Sequence, residues 1–232
     1  MTVNEGMAPG KSAFPPIANY AFLSDCEVNC LVAPNGSVEW MCLPRMDGPS
    51  VFGAILDRDA GMFRLGPADA MVPAGRRYLP GTMVLETTWG TKSGWVIVRD
   101  VLCIGKWHHE EERSHTHRRA PTDYDAEHVL VRTVRCVYGS MEIVLDCEPV
   151  FDYGRVHADW EYTSSGYHQA AATAEGVDLT MSLRTDLNLG FEGPRAKARK
   201  TMHEGDYAFA ALAWSSHGAP STYEDQARAA KA

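Results

Sequence analysis

Hydrophobic and polar residues alternate along most of this chain. Val28, Cys30 and Val32 alternate with Asn29 and Leu31; after Pro34-Asn35-Gly36, Val38, Trp40 and Cys42 alternate with Glu39 and Met41. Two period-two runs around Asn-Gly predict a β-hairpin, because both central turn positions take positive φ cheaply. The second run leaves as Leu43-Pro44-Arg45-Met46-Asp47-Gly48-Pro49-Ser50. Such a proline-bracketed loop cannot extend a sheet and presents its polar groups elsewhere. Ser50–Leu56 reads as a helical turn, Met62–Leu65 as a short strand, and 66–81, with Pro67, Pro73, Pro80 and Gly81, mostly as loop. Two more hairpins are predicted: Thr82–Trp89 with Gly94–Ile104, and Val129–Tyr138 with Met141–Val150 across Gly139-Ser140. Further strands fall at Val156–Thr163, Tyr167–Ala174, Val177–Leu183, Ala196–Met202 and Tyr207–Trp214.

Strands recurring about every 8–12 residues between turn signals predict an all-β fold, an antiparallel β-sandwich spanning 15–219. Residues 1–14 read as a disordered leader. Residues 220–232 carry a Ser/Thr cap, early acids and late bases, the start of a linker helix.

Composition adds limits. The chain has 232 residues, 45% hydrophobic and 22% charged, ordinary for a globular protein with a sizeable core. A net charge of −8 argues against nucleic acid and against an acidic membrane surface as partners. No apolar run reaches the length of a membrane span. The first 14 residues lack the apolar stretch of a secretory signal, so a cytoplasmic protein is expected. The six cysteines form no C-x-x-C and are expected as reduced thiols, mostly in strands.

The run LSDCEVNCLVAPNGSVEWMCLPRMDGPSVFGAIL, from Leu23 to Leu56, resembles the opening of glycoside hydrolase family 15, the bacterial glucoamylase and trehalase-like proteins. The tracts HHEEERSHTHRRAPTDYD and LDCEPVFDYGR look most like the trehalase branch of actinobacteria. The resemblance implies a super-sandwich followed by an (α/α)6 barrel that holds the catalytic glutamates. Trehalose or a related α-glucoside is the implied substrate, hydrolysed with inversion; for trehalose the products are two glucose molecules. No catalytic residue is therefore assigned in this chain, and the chain alone is expected to be inactive. A non-catalytic carbohydrate- or protein-binding sandwich, and a glucoamylase or α-glucosidase of the same family, are the alternatives.

The loop after the second strand is the leading site candidate. Arg45 offers a planar fork of donors and Asp47 accepts from hydroxyls; Trp40 has the kind of face on which sugars stack. Asp25 and Asn29 could join them from the neighbouring strand end, although this chain has Cys26 and Val28 where the family usually has Gly and Thr. The plainer alternative pairs Arg45 with Asp47 to shape the loop and puts Trp40 in the core. In Lys106–Asp125, His108, His109, His115 and His117 invite a metal reading, but no second ligand pair is spaced for one. Arg113, Arg118 and Arg119 form the alternative, an anion site. The resemblance permits phosphate and magnesium dependence without placing either ion here. Glu148, Asp152 and Asp159 are expected to be structural or solvated. Phe151–Arg155 reads as a loop that could face the same neighbour as Pro44–Ser50. An apolar face left open where the barrel packs would drive self-association, a homo-oligomer, in the isolated chain.

Overall fold

The computed structural model describes residues 14–107 and 124–215, without side chains for 105–107 and 124–127. Sixteen strands follow in order: β1 (Ala21–Ser24), β2 (Asn29–Val32), β3 (Ser37–Cys42), β4 (Ser50–Phe52), β5 (Met62–Pro67), β6 (Gly75–Tyr78), β7 (Leu85–Gly90), β8 (Gly94–Trp107), β9 (Tyr124–Glu148), β10 (Val156–His157), β11 (Asp159–Tyr162), β12 (Gln169–Thr173), β13 (Thr180–Thr185), β14 (Gly190–Glu192), β15 (Arg195–His203) and β16 (Tyr207–Ser215). All pairings between these strands are antiparallel, and the fold is all-β as predicted.

The pairings sort into two layers that share β9. One runs β1-β2-β3-β5-β9-β15-β14, with β4 beside β3; the other runs β6-β7-β8-β9-β16-β13-β12-β11. The first half of β9 pairs β8 and β16, and its second half pairs β5 and β15. This corrects the predicted hairpin across Gly139-Ser140. Both strands lie where the alternation puts them, but they do not pair with each other. Gly139, at φ +64°, turns the chain from one layer into the other. Ile143 and Leu145 then share one buried cluster with Val134 and Cys136 of the facing layer.

The hairpin β2–β3 forms as expected, with a bulge at Leu31/Val32. Its turn is wider than an Asn-Gly pair alone. The Ala33 N–H donates to Ser37 O at 2.8 Å, and Gly36 takes the positive φ of +81° while Asn35 does not. Hairpin β7–β8 also forms as predicted. β1, β6 and β14 were not foreseen. Ser50–Phe52 is a strand, and the predicted helical turn begins only at Gly53, where Leu56 N–H meets Gly53 O. The expectations for 1–13 and 220–232 lie outside the described residues.

One polar group crosses the apolar core. Leu130, Arg132, Val134 and Cys136 occupy the inner face of β9, and Arg132 is fully buried there. Its Nε donates to Asp100 Oδ1 at 2.8 Å, and its two terminal nitrogens donate to Phe63 O and Gly36 O, both at 2.6 Å. Asp100 stands opposite Arg132 on β8, whereas Phe63 and Gly36 belong to the other layer, so the guanidinium pins the two sheets together. The edges are stitched too. The Tyr78 hydroxyl of β6 accepts from Phe22 N–H and donates to Phe22 O of β1, each at 2.8 Å. At the far side Trp160 Nε1 donates to Pro194 O at 2.9 Å and Tyr162 to Leu189 O at 2.9 Å. Bridged edges present fewer free strand groups to other chains.

A second buried polar group lies on β3. Glu39 accepts from the Tyr20 hydroxyl at 2.5 Å and from Arg58 at 2.7 Å. Burial, then the bond to Glu39, pushes the Tyr20 phenol up to about 12. The arrangement anchors the N-terminal segment to β3.

Candidate functional site at the loop-bearing end

Antiparallel pairing puts the β1–β2 turn, the β3–β4 loop, the exit of β9 and the end of β16 at one end of the sandwich. The β1–β2 turn is built by Asp25. Its Oδ1 accepts from Glu27 N–H at 3.0 Å and Val28 N–H at 2.7 Å, while Ser24 Oγ donates to Val28 O at 3.1 Å. Cys26 sits exposed at φ +77°, a conformation that suits glycine better than a side chain. Asp25 is 1% exposed, and its Oδ2 has no hydrogen-bond partner. Burial raises its carboxyl above the usual aspartate range.

The β3–β4 loop leans on this turn: Met46 N–H donates to Glu27 O at 3.0 Å. Leu43 N–H closes the loop on Pro49 O at 3.1 Å, and Gly48 N–H meets Arg45 O at 2.9 Å. Arg45 and Asp47 stand at its tip, 3.3 Å apart and each 73% exposed. The pair shapes the tip, and both side chains face solvent. Exposed pairs of this kind contribute little to stability. Glu27 extends the surface with a contact to His128 at 3.2 Å, and His128 stacks on Trp214 of β16 with ring centres 5.8 Å apart.

The loop after β9 joins the same end. Val150 and Phe151 bridge to His157 and Val156, leaving a hairpin tip in which Asp152, Tyr153 and Gly154 all take positive φ, +50°, +58° and +83°. A left-handed non-glycine residue costs about 1–2 kcal/mol. Two in succession are held in place by buried Phe151, whose carbonyl accepts from Arg155 N–H at 3.0 Å. Asp152 pairs with Arg155 at 3.2 Å. Leu43, Pro44, Pro49, Phe151, Asp152 and Val177 line a cavity of about 280 Å³, so the two loops share one wall. On the other side of the Asp25 turn an apolar cleft of about 800 Å³ opens beside Cys26, Leu79, Met83, Val84, Val101 and Ile104.

The structure thus brings Asp25, Asn29, Arg45 and Asp47 to one end. Asn29 is half-buried, opposite Ser24 in the β1–β2 pair. Trp40 stands apart. It lies opposite Leu31, whose neighbours Cys30 and Val32 point into the core, so by alternation Trp40 is half-buried on the outer face. Sequence reasoning gave Tyr153 no role; its only signal was the loop cluster FDYGR. Glu148 is held by Arg195 at 2.5 Å, consistent with a structural carboxylate. Arg113, Arg118 and Arg119 lie outside the described residues. Among the described residues no group of three or more His, Cys, Asp or Glu could hold a metal ion.

Asp25 carries a stability prediction. An acid whose folded pKa is raised binds its proton more tightly when folded, so its contribution grows as pH falls through the window above about 3.9 and is lost as pH rises. Asp25→Asn keeps the Oδ1 acceptor and removes the buried charge. It is expected to stabilise the domain by about 1 kcal/mol at pH 7 and to flatten the acid side of the stability profile. Asp25→Ala removes the acceptor of both N–H groups and is expected to destabilise by about 1–2 kcal/mol. Urea midpoints between pH 4 and 8 check both; an equal loss in the two variants would refute the buried-charge account.

An all-β sandwich that gathers an Arg–Asp loop and a strained hairpin at one end is the class that the fold defines. Within that class, residues 8–112 are similar to the trehalase-like N-terminal domain. Over 220 residues the chain is 58% identical to the trehalase of Mycolicibacterium smegmatis, covering 94% of this chain and 33% of that protein. Over 223 residues it is 56% identical to the trehalase of Mycobacterium tuberculosis, covering 95% and 33%. Trehalase 1 of Sulfolobus acidocaldarius is 39% identical over 72 residues, 31% of this chain and 13% of that protein. The chain spans about a third of the length of the mycobacterial relatives it matches. None of the described helices is long and apolar enough to cross a membrane.

Proposed function

We propose that this chain forms the front of a glycoside hydrolase that cleaves trehalose into two glucose molecules, with its loop-bearing end facing an (α/α)6 catalytic barrel. The observation that carries this is the 58% identity to a trehalase across 94% of the chain. β16 supports the orientation, because its last residue, Ser215, pairs with Thr180 at the loop-bearing end and directs the chain toward that side. Arg45 and Asp47 contact sugar hydroxyls directly, while Asp25 and Asn29 hold the turn on which the loop rests. Trp40, on the outer face, supports the sheet rather than the sugar. Free thiols at Cys26, Cys30, Cys42, Cys136 and Cys147 fit a reducing, cytoplasmic setting.

The test assays trehalose and maltose on the purified full-length polypeptide and on residues 1–232. Hydrolysis of trehalose by the full-length protein and none by 1–232 is expected. Arg45→Ala in the full-length protein is expected to lower kcat/KM at least tenfold. A full-length protein silent on both sugars would establish the non-catalytic binding module instead, and a clear preference for maltose would establish a glucoamylase.

A further inference from the structure

We infer that Tyr153 is a specificity residue of the sugar site, an aromatic platform that the domain supplies from its strained hairpin tip. The inference rests on the trehalase reading and adds a contact that the sequence did not mark. Tyr153 sits in the left-handed region at φ +58° between Asp152 at +50° and Gly154 at +83°. Left-handed positions prefer Asn, Asp or Gly. Asp152 fits that preference and Tyr153 does not. A bulky residue kept in such a conformation points to a use for its side chain at that spot.

The ring is not needed to fill the fold. Tyr153 is 56% exposed, whereas its neighbour Phe151 is 1% exposed and anchors the turn. Asp152, one residue away, lines the cavity shared with Pro44 and Pro49 of the Arg45–Asp47 loop. The exposed tyrosine therefore sits beside the Asp152–Arg155 pair, on a loop that shares a cavity wall with the loop carrying Arg45 and Asp47, at the end where the chain leaves β16. Planar donors and acceptors around an aromatic face are the chemistry that binds a pyranose, whose hydroxyls hydrogen-bond outward while its C–H face lies on the ring.

The experiment compares Tyr153→Asn and Tyr153→Phe in the full-length protein, measuring KM, kcat and thermal midpoint with trehalose as substrate. Tyr153→Asn is expected to raise the midpoint by about 2–4 °C, because asparagine accepts the left-handed conformation. The same change is expected to raise KM about tenfold with little change in kcat, since the contact is made equally in ground and transition states. Tyr153→Phe restores KM to near the parent value and leaves the midpoint where it was. An active enzyme in which Tyr153→Asn leaves KM unchanged overturns the inference and leaves the trehalase reading intact. A fall in midpoint for Tyr153→Asn likewise overturns it, because the ring would then be structural. A parent protein without activity on trehalose removes the reading and the inference together.

Discussion

Replacing Arg132 with methionine is expected to cost about 3–5 kcal/mol of folding stability, and to lower the thermal midpoint by roughly 10 °C. The reasoning starts from what the guanidinium satisfies. It is fully buried, holds Asp100 at 2.8 Å and donates to two carbonyls of the opposite layer at 2.6 Å each. Methionine fills similar volume, so lost packing is small. What remains is a buried carboxylate without its partner and two carbonyls without their donors, and leaving buried groups unpaired is the expensive part. Asp100→Leu combined with Arg132→Met removes the stranded charge. The double variant is expected to recover part of the loss and no more, because Phe63 O and Gly36 O still lack the donors that joined the layers. Urea unfolding of the four species forms the cycle. A single variant that loses less than about 1 kcal/mol of unfolding free energy would refute the pin between the sheets.

Arg132 also shows what alternation in a sequence does and does not disclose. The pattern Leu130, Arg132, Val134, Cys136 places the arginine on the apolar face, so its inward direction was readable. Its partners were not, because Gly36 and Phe63 are distant in the chain and meet it only once the layers face each other. The strand positions themselves were legible for the same reason that most strands are: one face is buried and the other is not, and the side chain period is two. Short edge strands such as β1 and β14 escaped, since three or four residues do not establish a period. At the site, the Arg45–Asp47 loop could be found from its bracketing prolines. The left-handed conformation of Tyr153 could not, because nothing in Phe-Asp-Tyr-Gly-Arg distinguishes an ordinary loop from a tip held in place by buried Phe151. Trp40 stands beside the loop in sequence, but the face it takes is set by strand pairing. The bulge at Leu31/Val32 lies within the pairing that sets which face β3 turns outward, and bulges leave only a weak trace in a sequence.

Gly139→Ala is expected to destabilise the domain by about 3 kcal/mol, the second large effect. The predicted hairpin and the observed passage between layers share the same local sequence, and the difference lies in what surrounds Gly139. A methyl group there would sit 2.2 Å from Ser93 O, on backbone that is itself paired, since Ser140 N–H donates to Ser93 O at 2.9 Å. Relief requires moving the β7–β8 turn away from the corner of β9, which disturbs the strand common to both layers. The positive φ of +64° adds the usual penalty of about 1 kcal/mol for a side chain in that region. Gly176 separates the two contributions. Its φ is +76°, but a methyl group added there meets nothing within 4 Å, so Gly176→Ala is expected to cost about 1 kcal/mol, the conformational part alone. The gap between the two variants, read from urea midpoints at pH 7, measures the steric part. Equal losses would mean that the corner yields freely and that β9 is not held at Gly139, whereas the expected gap of about 2 kcal/mol identifies this residue as the point where one strand becomes part of two sheets.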